Sequence, residues 1–375
     1  MDFELDDDQK ALSELAARIL SERSTPERLT AVEEAASSGG DGVDHALWAD
    51  LAAAGLVAAP LAEDHGGAGM GLIGACAVLE EVGRAVAAVP YLETVVSALA
   101  IERFGSPSLR AQLSAIGGGG VVVAPALAEA QASPRRPSTQ AVAADGGWRL
   151  DGEKICVSAG LRADAFLVPA RFPDASSGVA FVPADAGGLV RERQDTTSGR
   201  PEALLRLTSV HVPAEAVLGS EVAEQADVLD WLVDRVTAAL SVTAAGCLGE
   251  AVRITTSYVK ERQQFDRVIA TFQAVGQRAA DAFIDTLGVR LTAWQAVWRL
   301  SAGLPATDEV TIAKYWASEA GQRVVHTCQH LHGGIGMDRD YPVHRYFLVA
   351  KQIDLALGGA APQLADLGKR IAASA

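Results

Sequence analysis

The chain has 375 residues, 49% hydrophobic and 21% charged, enough for two or three domains around sizeable cores. Its formal net charge of −15 argues against a nucleic-acid partner, which needs Lys and Arg to neutralise phosphates, and against a basic face for anionic membranes. Four scattered cysteines, Cys76, Cys156, Cys247 and Cys328, follow no CxxC spacing and read as reduced thiols of a cytoplasmic protein. The acidic start, Met1-Asp-Phe-Glu-Leu-Asp, has no basic region ahead of an apolar one, so no secretory signal is expected. No apolar run reaches membrane-spanning length, because Ile73–Val82 is broken by Glu80 and Glu81, and no membrane insertion is expected.

Residues 1–118 are expected to form a helical N-terminal domain. Asp7–Ser21 places Leu12, Leu15, Ala16, Ile19 and Leu20 on one helical stripe. Asp44 precedes a helix over His45–Ala54, with Gly55 as its stop. Glu63–Gly71 is a glycine-rich turn, a helix resumes at Leu72, and Pro90 opens another that ends at Gly105-Ser-Pro107. Residues 119–219 change character. Short β-rich runs at Val121–Ala124, Gln140–Ala144, Trp148–Leu150, Ile155–Ser158, Ala165–Ala170, Gly178–Val182 and Leu204–Val212 predict a small antiparallel barrel or sandwich. Ser133–Ser138 reads as an exposed loop. Residues 220–375 return to helix. Ala226–Gln264 is one long helix of roughly 55–60 Å, followed by Thr271–Ser301, Thr307–His330 and Pro342–Ala373. The expected fold is therefore α+β in three parts: an N-terminal α-helical domain, a central antiparallel β-barrel or sandwich, and a C-terminal four-helix bundle.

Two stretches carry chemistry. In Tyr258–Gln273, Arg262 is a permanent cation with a planar fork of donors suited to a pyrophosphate. Phe265 suits covering an adenine or a flavin edge, and Gln273 supplies an amide within reach of ribose or phosphate. Gly333-Gly334-Ile-Gly336 closes a helix, where glycine permits positive φ and close ligand approach; a plain helix C-cap is the alternative. No strand precedes it, so it is not a dinucleotide fingerprint. His326, His330 and His332 do not converge on one helical side, and no metal is expected.

These stretches, with His65-Gly-Gly-Ala-Gly69, Leu79-Glu-Glu-Val-Gly-Arg84, Phe272-Gln273 and the α–β–α order, resemble the acyl-CoA dehydrogenase family over nearly the whole chain. The match is strong at both ends and weak in the middle. The resemblance implies non-covalent FAD and an acyl-CoA substrate losing hydrogen from Cα and Cβ, with a carboxylate taking the α proton. It also implies that Arg262, Phe265, Gln273, Gly333 and Gly334 contact the ADP half of a flavin held mainly by a partner subunit. His330 stands where the family has glutamine.

Three departures bear on function. The family's usual glutamate base falls on Leu357, followed by Gly358-Gly359, and leucine accepts no proton. The flavin-cradling segment of the middle domain is replaced by Pro125–Ser133, and the strand beside the isoalloxazine reads Cys156-Val-Ser-Ala159. Gln263–Arg267, Phe272–Arg278 and Pro342–Ala360 are similar to the non-catalytic β subunit of actinobacterial heterotetrameric acyl-CoA dehydrogenases acting on steroid side-chain CoA esters. That similarity implies an α2β2 assembly with a paralogous α subunit that provides the base, and FAD shared across the α/β interface. Two other readings stay open: a homomeric flavoenzyme with a relocated base, Asp234 or Glu250, and a flavin-free scaffold of the same fold.

Overall fold

A computed structural model describes residues 5–219 and 228–374. Helices α1 (Asp7–Arg23), α2 (Pro26–Ser37), α3 (His45–Ala53), α4 (Gly71–Arg84), α5 (Tyr91–Phe104), α6 (Pro107–Arg110) and α7 (Leu113–Gly117) come first. Seven strands follow: β1 (Val123–Pro125), β2 (Gln140–Ala144), β3 (Gly147–Val157), β4 (Ala165–Arg171), β5 (Ser177–Pro183), β6 (Leu189–Gln194) and β7 (Glu202–Pro213). The rest is α8 (Val228–Glu261), a small hairpin of β8 (Gln263–Gln264) and β9 (Arg267–Val268), then α9 (Gln273–Ser301), α10 (Thr307–His332), α11 (Val343–Leu355) and α12 (Ala360–Ser374). The expected order of helices, sheet and helices is therefore what the chain forms. The expected start of the long helix, Ala226, lies outside the described residues, as do the first four residues of the acidic start. The chain groups into two compact units: Met1–Leu29, Cys76–Ala87 and Thr237–Ala375 in one, Thr30–Ala75 and Ala88–Val236 in the other.

The second unit is built on a sheet in the order β1-β4-β2-β3-β7-β6, with β5 on β4. Most pairings are antiparallel, but β1 and β2 each run parallel to β4, so the sheet is mixed. Trp148–Leu150 and Ile155–Ser158 prove to be parts of one strand, β3. β6 had no apolar alternation to announce it: it runs Leu-Val-Arg-Glu-Arg-Gln along the edge of β7. The segment before β2 is pinned from below. Lys154 on β3, fully buried, donates to Glu129 Oε1 at 2.6 Å and to the Pro169 carbonyl at 2.7 Å. Glu129 also accepts from the Thr139 hydroxyl at 2.7 Å and from the Ser138 backbone N–H at 2.6 Å. Burial pushes the Glu129 carboxyl up, but the Lys154 charge and these donors outweigh it and hold the group down at about 2.

The first unit is helical. Asp6 caps α1 reciprocally with Gln9, and the helix buries Leu12, Ala16 and Leu20. α4 and α8 cross with their backbones in contact. A Cβ on Gly246 would lie 1.8 Å from the Glu80 carbonyl oxygen, and one on Gly83 would lie 2.1 Å from that of Thr243. Beside this crossing the buried Glu80 carboxylate accepts from Arg290 Nε at 2.6 Å and Trp294 Nε1 at 2.9 Å, both on α9. The core behind it includes Leu248, Val289, Val324 and Ile353. α8 is long and apolar enough to pass as a membrane span, but 78% of its most apolar window is buried inside the protein.

The fourth expected helix, Pro342–Ala373, is two helices. α11 stops at Leu355, Ala356 turns extended, and Leu357 and Gly358 take φ of +56° and +88° before α12 begins. A buried cation marks the stop. Lys314 Nζ on α10 donates to the carbonyls of Ile353 at 2.9 Å and Asp354 at 3.0 Å, and to Ser318 Oγ at 2.9 Å. It supplies the donors that the missing next turn would have given. Burial lowers this ammonium to about 8.

Candidate functional site

The last turns of α8 and α10 are locked together by an aromatic cluster. Tyr258 stacks on His332 with centroids 4.5 Å apart, and its hydroxyl donates to the His332 carbonyl at 3.5 Å. His332 Nδ1 lies 2.8 Å from the Cys328 carbonyl, which only accepts, so that nitrogen carries the hydrogen. Nε2 is then free to accept from the Tyr341 hydroxyl at 3.2 Å. Burial holds the imidazole below its ordinary range, against the opposing pull of the Cys328 carbonyl.

Immediately beyond this cluster α8 ends and a two-residue hairpin follows. Phe265 and Asp266 at its tip have φ of +54° and +61°, as a type I′ turn requires at both central positions. Neither is glycine, so the tip carries backbone strain. That strain displays Phe265, which is 86% exposed. Phe265 meets Phe272 edge-on at 6.2 Å, and the Arg267 guanidinium covers the other ring at 3.9 Å. This brings the tip beside Gln273, the first residue of α9. Arg262 is exposed at the root of the hairpin, its carbonyl accepting from the Ile269 N–H at 2.9 Å.

α10 closes on Gly333, which takes φ +63° and donates to the His330 carbonyl. No atom lies within 4 Å of a Cβ placed on Gly333 or Gly334, so the backbone is open to a ligand. Arg262, Phe265, Gln273, Gly333 and Gly334 thus share one end of the helical unit, with the exposed His330 one turn back. An exposed guanidinium, a projecting aromatic ring, a primary amide and an open glycine backbone are chemically compatible with an anionic ligand that carries a ring, as the ADP half of a flavin does. His326 packs edge-on to Phe347 at 4.9 Å. Among the described residues no three His, Cys, Asp or Glu side chains are grouped to hold a metal.

Leu357 is elsewhere. It follows the far end of α11, whose thirteen residues separate it from Tyr341 by about 20 Å. The nearest carboxylate in sequence, Asp354, is buried and paired with Lys351 at 3.0 Å. Asp234 does not sit on a solvated face. It is buried in the second unit and held by Arg135, which also binds Asp230 at 2.6 Å. That arginine comes from the segment expected to be an exposed loop. Glu250 is held by Arg253 at 2.6 and 2.8 Å and lines a cavity of about 490 Å³ that contains none of Arg262, Phe265, Gln273, Gly333 and Gly334.

Sequence reasoning passed over Glu93 and Gln194. The Ser158 hydroxyl donates to Glu93, and burial pushes that carboxyl up. Gln194 Oε1 accepts the Cys156 backbone N–H at 2.7 Å, and partial desolvation together with the neighbouring Glu202 carboxylate raises the Cys156 thiol to about 11 although the residue is exposed. The strand end Cys156–Ala159 is therefore engaged within its own unit. Glu93 had a faint signal, an acid in the first turn of α5; Gln194 had none, lying on the unannounced β6.

Comparison with known proteins fits this geometry. Residues 6–115 match the family description "Acyl-CoA dehydrogenase, N-terminal domain", and residues 231–372 match "Acyl-CoA dehydrogenase, C-terminal domain". Acyl-CoA dehydrogenase FadE27 of Mycobacterium tuberculosis is 38% identical, covering 99% of each chain. Among solved structures, the ChsE4-ChsE5 complex from Mycobacterium tuberculosis contains a chain 39% identical, TM-score 0.92, with 99% of each chain covered. A variant of the Tcur3481-Tcur3483 steroid ACAD contains one 41% identical, TM-score 0.92, with 98% of each covered.

Proposed function

Because this chain belongs to the acyl-CoA dehydrogenase family, we propose that it is the non-catalytic β subunit of a heteromeric, FAD-dependent acyl-CoA dehydrogenase. The assembly desaturates Cα–Cβ of an acyl-CoA thioester, a steroid side-chain CoA ester in this reading, and a paralogous α subunit in an α2β2 complex supplies the base. The observation that carries it is Leu357. The position that the family resemblance gives to the proton acceptor holds a hydrocarbon side chain on a helix break, and its neighbour Asp354 is already paired. The two-protein descriptions of the ChsE4-ChsE5 and Tcur3481-Tcur3483 structures support a heteromer, and the second names a steroid acyl-CoA dehydrogenase.

When bound, FAD would accept the hydride that leaves Cβ as the Cα–Cβ double bond forms. This chain's part is to bind. Arg262 would pair with the pyrophosphate, Phe265 would cover the adenine, and Gln273 would reach ribose or phosphate. Gly333 and Gly334 would admit the ligand against the backbone, with His330 replacing the family's amide. The engaged strand end at Cys156–Ala159, with its Glu93 and Gln194 partners, offers little to a flavin of the chain's own. α9 also presents Phe283, Ile284, Leu287 and Leu291 to solvent, a stripe that wants cover. We keep residues 1–118, 119–219 and 220–375 as the proposed domain division.

The homomeric alternative rests on Asp234 or Glu250, and each is taken by an arginine. Purification of the chain alone and with its paralogue, followed by flavin-to-protein stoichiometry, separates the readings. The chain alone should be colourless and inactive, and the complex yellow with one flavin per unlike pair. A flavin-saturated homomer that oxidises acyl-CoA would remove the proposal.

A further inference from the structure

We propose that His332 is a positioning residue for the cofactor. Its imidazole clasps the loop between α10 and α11 shut and ties it to the end of α8, so that the Gly333-Gly334 backbone and Arg262 meet the ADP half of FAD already ordered. The inference rests on the function proposed above and adds to it the residue that shapes this chain's share of the site. His332 touches no ligand in this account; it acts through the groups it holds.

His332 is the last residue of α10 and is 3% exposed, directly before two glycines with no neighbour within 4 Å of a Cβ. A helix end of that kind tends to fray, because its last carbonyls lack helical partners and glycine restrains the backbone least. Here the ring is fixed on three sides. Its Nδ1–H reaches the Cys328 carbonyl at 2.8 Å, within its own helix. Its Nε2 accepts from the Tyr341 hydroxyl at 3.2 Å, nine positions along the chain. Its face stacks on Tyr258 of α8 at 4.5 Å. One nitrogen donates and the other accepts, so the rotation of the ring is set as well as its place. A plug of hydrocarbon would fill the space without fixing either.

Tyr341 is a fixed post for the clasp. Its N–H reaches the Asp338 carbonyl at 3.2 Å, and its own carbonyl accepts from His344 Nδ1 on α11 at 2.7 Å. The chain that leaves His332 at Gly333 therefore returns to the same ring at Tyr341. Gly336 packs back against it: a Cβ there would lie 3.1 Å from the His332 Cβ and 2.9 Å from the Gln329 carbonyl oxygen. On the other side, the Tyr258 carbonyl accepts the Arg262 N–H at 2.9 Å, so the ring stacked on His332 belongs to the turn that carries Arg262. This order is concentrated where the chain is open to solvent, beside Gly333, Gly334 and the exposed Arg262. A ligand that meets a loop already closed does not lose affinity to ordering it.

Three variants of the full-length chain test the clasp. Tyr341→Phe removes only the hydroxyl, His332→Leu removes the acceptor, and His332→Gln restores an acceptor through its amide oxygen. In the lone chain, hydrogen–deuterium exchange over residues 333–340 should be faster by about fivefold or more in Tyr341→Phe and His332→Leu. In the complex with the paralogue, stripped of FAD and titrated back, Tyr341→Phe should weaken FAD by about fivefold or more. ADP, used as a competitor, should weaken by the same factor, while the visible spectrum of the saturated flavin stays that of the wild type. His332→Gln should recover part of the affinity lost in His332→Leu; if the leucine variant does not fold, Tyr341→Phe decides. Wild-type affinity for FAD and ADP in Tyr341→Phe, or FAD weakened with ADP unchanged, overturns the clasp and leaves the proposed function standing. A wild-type complex that takes up no FAD overturns both.

Discussion

Arg262 does its proposed work from the surface, and that makes it separable from stability. Its side chain is exposed and has no ion pair among the described residues. Arg262→Ala should therefore leave the unfolding midpoint of the isolated chain within about 0.5 kcal/mol. In the paralogue complex it should weaken flavin retention about tenfold or more, read as FAD released on gel filtration. Glu129 is the opposite case, a charged group whose role is internal. Its folded-state carboxyl lies near 2, below its ordinary 4.5, so its stabilisation is complete above about 4.5 and is lost as pH falls towards 2. Glu129→Gln should cost about 3 kcal/mol at neutral pH by stranding Lys154. It should also flatten the acid limb of stability measured by urea titration between pH 5 and pH 3.

Among the elements, the β8–β9 hairpin shows strain kept for display. Asp266 at φ +61° adopts the conformation glycine prefers. Asp266→Gly should stabilise the chain by about 0.5–1 kcal/mol in chemical denaturation while leaving Phe265 at the tip. The long helices were legible because apolar periodicity runs unbroken between clear stops. α9 ends at Ser301 and α10 starts at Thr307, as the Gly303 and Pro305 punctuation indicates. α2 and β6 escaped because Pro26–Ser37 and Leu189–Gln194 are largely polar and carry no such period. The break after α11 was written in Gly358-Gly359, but its cause, the Lys314 ammonium on the Ile353 and Asp354 carbonyls, comes from a residue some forty positions earlier. The spacing of Arg262, Phe265 and Gln273 was legible; the Tyr258–His332–Tyr341 cluster that joins the ends of α8 and α10 is long-range and was not. The same limit hid Arg135 on Asp230 and Asp234, and Glu93 on Ser158.

For the molecule as a whole, the apolar stripe of α9 is the feature that a lone chain leaves uncovered. Leu287→Asp should lower the yield of paralogue complex on co-purification without loss of helical circular dichroism, and the wild-type chain should bind less of an apolar dye once complexed. The α4–α8 crossing carries a different lesson. At Gly83 and Gly246 the opposing main chain occupies the volume where a first side-chain carbon would sit. No rotamer choice relieves that, because the obstruction begins before any torsion does. Saturation libraries at codons 83 and 246, screened for soluble protein, should therefore return glycine alone, because the two main chains leave no room there for any other residue.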